Sequence, residues 1–189
     1  VTSIPAVPSS TQQTLPWNVT AQSFYVDLEE RGARYVHSAV LSNLEPNTEY
    51  YFEIYYNNKK QRTGTYLTLP SENLEREILI AAGGDAGTTA HAKEMSSTLH
   101  NHTIDAIMVG GDLAYDNGIP SCYYSWDLFL NMFEGVNQKL GRVIPLLFSV
   151  GNHDLGFNAF QDAEIDITKN LYYIYFPQQT KISSDESSH

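Results

Sequence analysis

Three times in this chain a short apolar run stops at small residues and hands over at once to a polar side chain. The runs are "ILIAAGGDAG" (Ile78–Gly87), "AIMVGGDLAYD" (Ala106–Asp116) and "IPLLFSVGNHD" (Ile144–Asp154). Short, apolar and ended by glycine, they read as strands. The segments between them carry helical period. Ala92, Met95 and Leu99 recur at helical spacing, as do Trp126, Phe129, Leu130, Phe133 and Leu140, which predicts two amphipathic helices. Strand, helix, strand, helix, strand implies a parallel sheet joined by crossovers. Functional groups in such sheets sit just beyond the carboxyl ends of the strands, where each Gly-Asp or Gly-Asn falls here.

The first 70 residues follow another pattern. "SFYVDL", "RYVHSAVL", "EYYFEIYY" and "RTGTYLTL" read as short strands separated by turn residues, which predicts a β-sandwich. "LSNLEPNTEYYFEI" places Leu44, Pro46, Thr48 and Tyr50 in a pattern that resembles fibronectin type III domains. The resemblance implies that Tyr50 packs at a sheet corner and bonds back to the backbone. "LPSENLERE" is polar and contains a proline, so it reads as a linker. The expected organisation is a fibronectin type III-like sandwich over residues 1–70, a linker over 71–76, and an α/β domain over 77–189. "NLYYIYFP" is open between strand and irregular aromatic segment, and "SSDESSH" reads as a polar tail.

With 189 residues the chain is long enough to bury a core, and no apolar run is long enough to span a bilayer. Its formal charge of −11 would repel nucleic acid over most of the surface, so no nucleic-acid partner is expected. Any phosphate must be drawn in locally, by cations. The single cysteine, Cys122, cannot close an intrachain disulfide and reads as structural. Two sequons, at Asn18 and Asn101, and a start at Val1 fit a processed, secreted or lumenal glycoprotein.

At the predicted strand ends Asp85, Asp112, Tyr115 and Asn152 offer two carboxylates, a phenol and an amide oxygen. Hard oxygen donors suit hard or borderline cations, and a carboxylate between two ions can bridge them. Two-metal hydrolytic sites use this layout to polarise a phosphoryl oxygen and lower the pKa of water. Gly83, Gly84, Gly110, Gly111 and Gly151 would let the chain turn sharply beside such a cluster.

"GDAG", "GDLAY" and "GNHD" stand in the order of the first three motifs of the purple acid phosphatases, and the chain resembles that family of calcineurin-like metallophosphoesterases. The resemblance implies an acid phosphatase acting on small-molecule phosphate monoesters through an Fe(III) and divalent metal pair, the divalent ion being iron, zinc or manganese. Asp85 and Tyr115 would be ligands of the ferric ion, Asp112 the bridge, and Asn152 a ligand of the divalent ion. His153 would be no ligand but would bind the phosphate or protonate the leaving alkoxide. Tyr115 takes the place of the histidine that most of the superfamily carries after the first aspartate. A homodimer is left open.

Two departures are visible. Asp154 stands where the plant enzymes usually have Glu, and the later motifs V-x-x-H and G-H-x-H are not found after His153. The expectation is an amino-terminal portion of a longer phosphatase, three histidine ligands short and inactive alone. Alternatives are a phosphodiesterase or nucleotide pyrophosphatase on the same scaffold, or a non-catalytic extracellular binding protein with a degenerate site. A lone Gly-Asp at a strand end is ordinarily a turn; three in order argue otherwise. His37, His91, His100 and His102 lack such neighbours and read as surface or helix residues. Asp116 and Asp154 read as acceptors that orient the residues beside them.

Overall fold

The computed structural model describes residues 3–4, 6–8, 18–28, 31–74, 76–157 and 170–176. The predicted tail Ser183–His189 lies outside them. Among the described residues the first part has seven strands: β1 (Ser3–Ile4), β2 (Ala6–Pro8), β3 (Val19–Thr20), β4 (Gln22–Asp27), β5 (Ala33–Ser38), β6 (Glu49–Tyr56) and β7 (Lys59–Leu67). All their pairings are antiparallel: β1 with β3, β4 with β5, and β6 between β2 and β7. β6 turns into β7 through Asn57 and Asn58, both at positive φ, as a two-residue hairpin loop matched to strand twist requires. Tyr50 is buried, stacks on Tyr66 and accepts the Glu45 N–H at 2.8 Å through its hydroxyl. That is the backbone bond expected of a corner tyrosine.

The three glycine-ended runs form β8 (Ile80–Gly83), β9 (Ala106–Gly110) and β10 (Leu146–Ser149). They make one sheet in the order β10-β9-β8, and both pairings are parallel, as predicted. Register pairs Gly83 with Val109 and Ser149 with Gly110, so all three strands end together. The polar residues that follow are therefore delivered to one edge.

Two helices provide the crossovers, α1 (Ala90–Ser97) and α2 (Tyr124–Leu140). Thr89 caps α1, its hydroxyl accepting the Ala92 N–H, and the chain tightens into a 3-10 turn over Thr98–Asn101. The helical period placed Met95 with Ala92 and Leu99 on the core side; Ala92 and Leu99 do pack there, but Met95 is 60% exposed. It lines an apolar hollow with Ala82 and Met108 beside the open face of the sheet instead. Cys122 sits, half-buried, in the 3-10 turn that precedes α2.

α2 supplies the centre of the core. Trp126, Phe129 and Phe133 pack with Ile107 and Val109 of β9 and with Leu113 beyond it. Val26 and Leu28 from the first part enter the same cluster, so the two parts share buried apolar surface. β5 is also tied to α2: the Arg34 guanidinium donates to both carboxylate oxygens of Asp127 at 2.7 and 3.1 Å and to the Tyr175 hydroxyl at 2.8 Å. It lies 4.3 Å from the centroid of the Tyr123 ring. The segment "NLYYIYFP" becomes a short helix, α4 (Leu171–Tyr175), not a strand. Asn170 starts it by accepting the Tyr172 N–H, and Tyr172, Tyr175 and Phe176 surround Trp126. One further short helix, α3 (Asn152–Leu155), follows β10 and belongs to the site.

Candidate metal centre

The polar residues beyond β8 and β9 adopt backbone conformations that their types seldom take. Asp85, Asp112 and Tyr115 have φ of 49°, 49° and 57°. Among the described residues, every other non-glycine position with positive φ is asparagine, the type that best tolerates it. For a bulky residue such as Tyr115 the left-handed region is a true outlier, and strain of this kind, about 1–3 kcal/mol each, collects where structure serves a site. Here it turns two carboxylates and a phenol toward one another at the ends of adjacent strands.

The contacts are close. The Tyr115 hydroxyl donates to Asp85 Oδ1 at 2.9 Å, and the Asp85 N–H donates to the Gly111 carbonyl at 3.2 Å, joining the first and second strand ends. Asp112 Oδ1 accepts the His153 backbone N–H at 2.9 Å, joining the second to the third. Gly151 fits where no other residue could: a Cβ there would stand 2.2 Å from Asp112 Oδ1 and 2.3 Å from the Asp112 backbone nitrogen. Asn152 opens α3 next to this contact and is exposed. The His153 ring lies 4.4 Å from the Tyr115 ring, centroid to centroid.

Asp154 lies beneath, fully buried, and accepts the N–H groups of Leu113 at 2.8 Å and Gly151 at 2.9 Å. It thereby clasps the loop after β9 to the loop after β10. Burial raises its pKa, while these two N–H groups pull it down and the charge of Asp112 adds to the rise. Asp116 is equally buried. Neither of its carboxylate oxygens has a well-formed hydrogen bond, although the Trp126 indole and the Gly118 N–H lie close enough to oppose the desolvation that lifts it to about 6. The Tyr115 phenol is pushed up to about 12, first by burial and then by its bond to Asp85 and by the charges of Asp85, Asp112 and Asp154.

Asp85, Asp112 and Asp154 together set a negative field around the phenol. A cation reverses that logic, stabilising carboxylates and phenolate together. The donor set, hard oxygens from Asp85, Asp112, Tyr115 and Asn152, fits a hard or borderline cation. Among the described residues no three His, Cys, Asp or Glu side chains gather as a metal-binding group. The donors here include a phenol and an amide, with two carboxylates between them.

Of the residues read from the sequence, the structure brings Asp85, Asp112, Tyr115 and His153 into direct contact and sets Asn152 beside them. His37, His91 and His102 are exposed and away from the strand ends, and His100 bonds to the Ser97 carbonyl in the 3-10 turn. One participant was not anticipated. Asn117 Oδ1 lies 2.7 Å from His153 Nδ1. The Asn-Gly pair at 117–118 marks a tight turn in the sequence, which was the available signal.

No protein-family model matches the chain. It is similar to purple acid phosphatase 5 of Arabidopsis thaliana, 24% identical over 158 residues, which covers 81% of this chain and 38% of that protein. The sequence similarity of this chain is thus to a phosphatase, and the chain spans well under half the length of that relative. Among solved structures it is similar to one described as "Structure of PhoD", with a TM-score of 0.47 and 13% identity, covering 82% of this chain and 32% of the other.

Proposed function

We propose that this chain carries the amino-terminal share of a purple acid phosphatase-like site, used for metal-dependent hydrolysis of small phosphate monoesters. The observation that carries the reading is the Tyr115 to Asp85 contact of 2.9 Å between two residues held in the left-handed region. A packing tyrosine needs neither the strained backbone nor a carboxylate partner. The three ordered motifs and the similarity to a plant purple acid phosphatase support the same reading.

In this proposal Asp85 and Tyr115 would hold a ferric ion, Asn152 would hold a divalent iron, zinc or manganese ion, and Asp112 would be shared between the two. When bound, such a pair supplies Lewis acidity to a phosphoryl oxygen and eases deprotonation of water. The protein's part is positional. Asp112 is oriented by the His153 N–H, and Asp154 fixes both loops. His153 delivers a proton to the departing alkoxide. The remaining histidine ligands would come from polypeptide beyond the matched region. A fibronectin type III-like sandwich for residues 1–70 belongs to the proposal, supported by the antiparallel pairings and the Tyr50 bond. So does a secreted or lumenal location with glycans at Asn18 and Asn101, both of which are exposed.

The test uses full-length protein from its native source. A phenolate bound to ferric iron absorbs visible light, so the protein should be coloured, and Tyr115→Phe should abolish the band. Asp112→Asn should remove nearly all activity together with bound metal. Colour that survives Tyr115→Phe, or full activity in Asp112→Asn, would overturn the assignment.

A further inference from the structure

We propose that the cleft between β7 and the end of α2 binds a tetrahedral oxyanion, phosphate or sulfate, at a site separate from the strand ends. The cleft has a volume of about 320 Å³ and lies where the strand-rich part meets the α/β part. Small-ligand sites favour such seams. The charges select the sign of the ligand. Arg62 lines one wall and Arg142 the other, and Glu134 is the acidic side chain among the lining residues. Arg62 pairs with Glu134, so Arg142 leaves the lining one positive charge in excess. Asp105 also feels Arg142, but Arg76 offsets it through a bond of 2.9 Å. The carbonyl end of α2 opposes the excess with no more than about half an elementary charge. The Gly141 carbonyl just past it is already taken by the Thr65 hydroxyl at 3.2 Å. On a chain of formal charge −11 this is a local reversal of sign, which repels a cation and draws in an anion.

The donors select the shape. Arg142 Nη2 donates to the Ile104 carbonyl at 2.7 Å, while its Nη1 is buried and has no partner among the described residues. A buried donor without a partner costs about 1–3 kcal/mol, so folded proteins seldom leave one unused. Asn137 lines the same wall with its amide fixed in one orientation, because Oδ1 accepts the Ile144 N–H at 2.9 Å. Its NH2 group lies by Glu134 and has two protons to give, of which one suffices for the carboxylate. Arg62, from the facing wall, spends one nitrogen on Glu134 and keeps the rest of its fork. Donors that approach from two walls need acceptor oxygens in more than one plane. A carboxylate has both of its oxygens in a single plane, whereas a tetrahedral oxyanion spreads its oxygens in every direction.

The inference stands without the phosphatase reading, and the two can fail separately. The experiment titrates sodium phosphate, and in a second series sodium sulfate, into the nitrogen-15-labelled chain without added metal, near neutral pH and at constant ionic strength, and follows the backbone amide signals by NMR. Saturable shifts centred on Gly141, Arg142 and Val143 are expected with both ions, and none with sodium acetate. Arg142→Lys keeps the charge and a donor for the Ile104 carbonyl but loses the second nitrogen. Asn137→Asp keeps the acceptor for the Ile144 N–H and puts a negative charge where the ligand would sit. Each should weaken binding by about ten-fold or more, the worth of one charge-assisted hydrogen bond. Shifts that rise without saturating, that centre on Asp85 and Asp112 at the strand ends, that appear equally with acetate, or that survive both substitutions would overturn the inference.

Discussion

Removing Arg34 should loosen the seat of the strand-rich part on α2. The guanidinium makes three kinds of contact at once: a bidentate pair with Asp127, a hydrogen bond to the Tyr175 hydroxyl, and a cation–π contact with Tyr123 at 4.3 Å. The Arg34 and Asp127 side chains are 30% and 43% exposed, so solvent screening holds the ion pair to about 0.5–1 kcal/mol. The ring contact contributes about 0.5–1 kcal/mol, and the bond to Tyr175 about 1 kcal/mol. Arg34→Ala should therefore cost about 2–3 kcal/mol, measured as a lowered urea midpoint at unchanged slope. Arg34→Lys can keep one charged contact but neither the fork nor the planar stack, and should lose at least half as much. A double-mutant cycle with Asp127→Asn separates the pair from the rest; a coupling of about 0.5–1 kcal/mol is expected, since the ring and Tyr175 contacts survive in the single variant. If Arg34→Ala falls within about 0.5 kcal/mol of the parent, the value of an ordinary surface change, the tether is not energetic and the other contacts between the two parts, Val26 and Leu28 in the core and Arg62 with Glu134 among them, hold them together.

Gly151→Ala should be poorly tolerated, because the new methyl meets the backbone nitrogen of Asp112 as well as its carboxylate; a loss of about 1–3 kcal/mol in denaturant unfolding is expected. An unchanged midpoint would show that the contact is looser than the structure has it. Asp105 offers a pH test. Burial pushes its pKa up, but the Arg76 guanidinium, the Leu79 N–H and the charge of Arg142 outweigh burial and hold it below its ordinary 3.8. A depressed carboxyl stabilises the fold above its unfolded pKa and ceases to do so as pH falls through the folded value. The stability gap between parent and Arg76→Gln should therefore be full at pH 6 and shrink below about pH 4, as followed by urea midpoints across that range. A gap that stays constant would exclude the ion pair as its source.

The parallel strands, both crossover helices and the meeting of three motifs at one sheet edge were legible because each depends on local period and on glycine at fixed offsets. Tyr50 was legible for a similar reason, its pattern lying within a few residues. What escaped depends on residues far apart in the chain. Arg34 meets Asp127 and Tyr175 across 93 and 141 positions, and no periodicity announces such a contact. The aromatic stretch before Phe176 is a helix because Asn170 caps it and Trp126 offers a surface; its own composition favoured neither helix nor strand. Met95 shows the reverse error: its period matches Ala92 and Leu99, but its side chain lines the exposed hollow beside the sheet. Asn117 was passed over because asparagine before glycine reads as a turn residue, and its amide oxygen serves the turn's neighbour as well.

The left-handed backbone at Asp85, Asp112 and Tyr115 sets heat resistance against chemistry. Glycine at any of the three would relax that conformation by about 1 kcal/mol or more, and each replacement would erase one oxygen donor. A screen that rewarded thermal tolerance alone would drift toward glycine at all three strand ends. The survivors would be sturdier proteins that keep only Asn152 of the four oxygen donors.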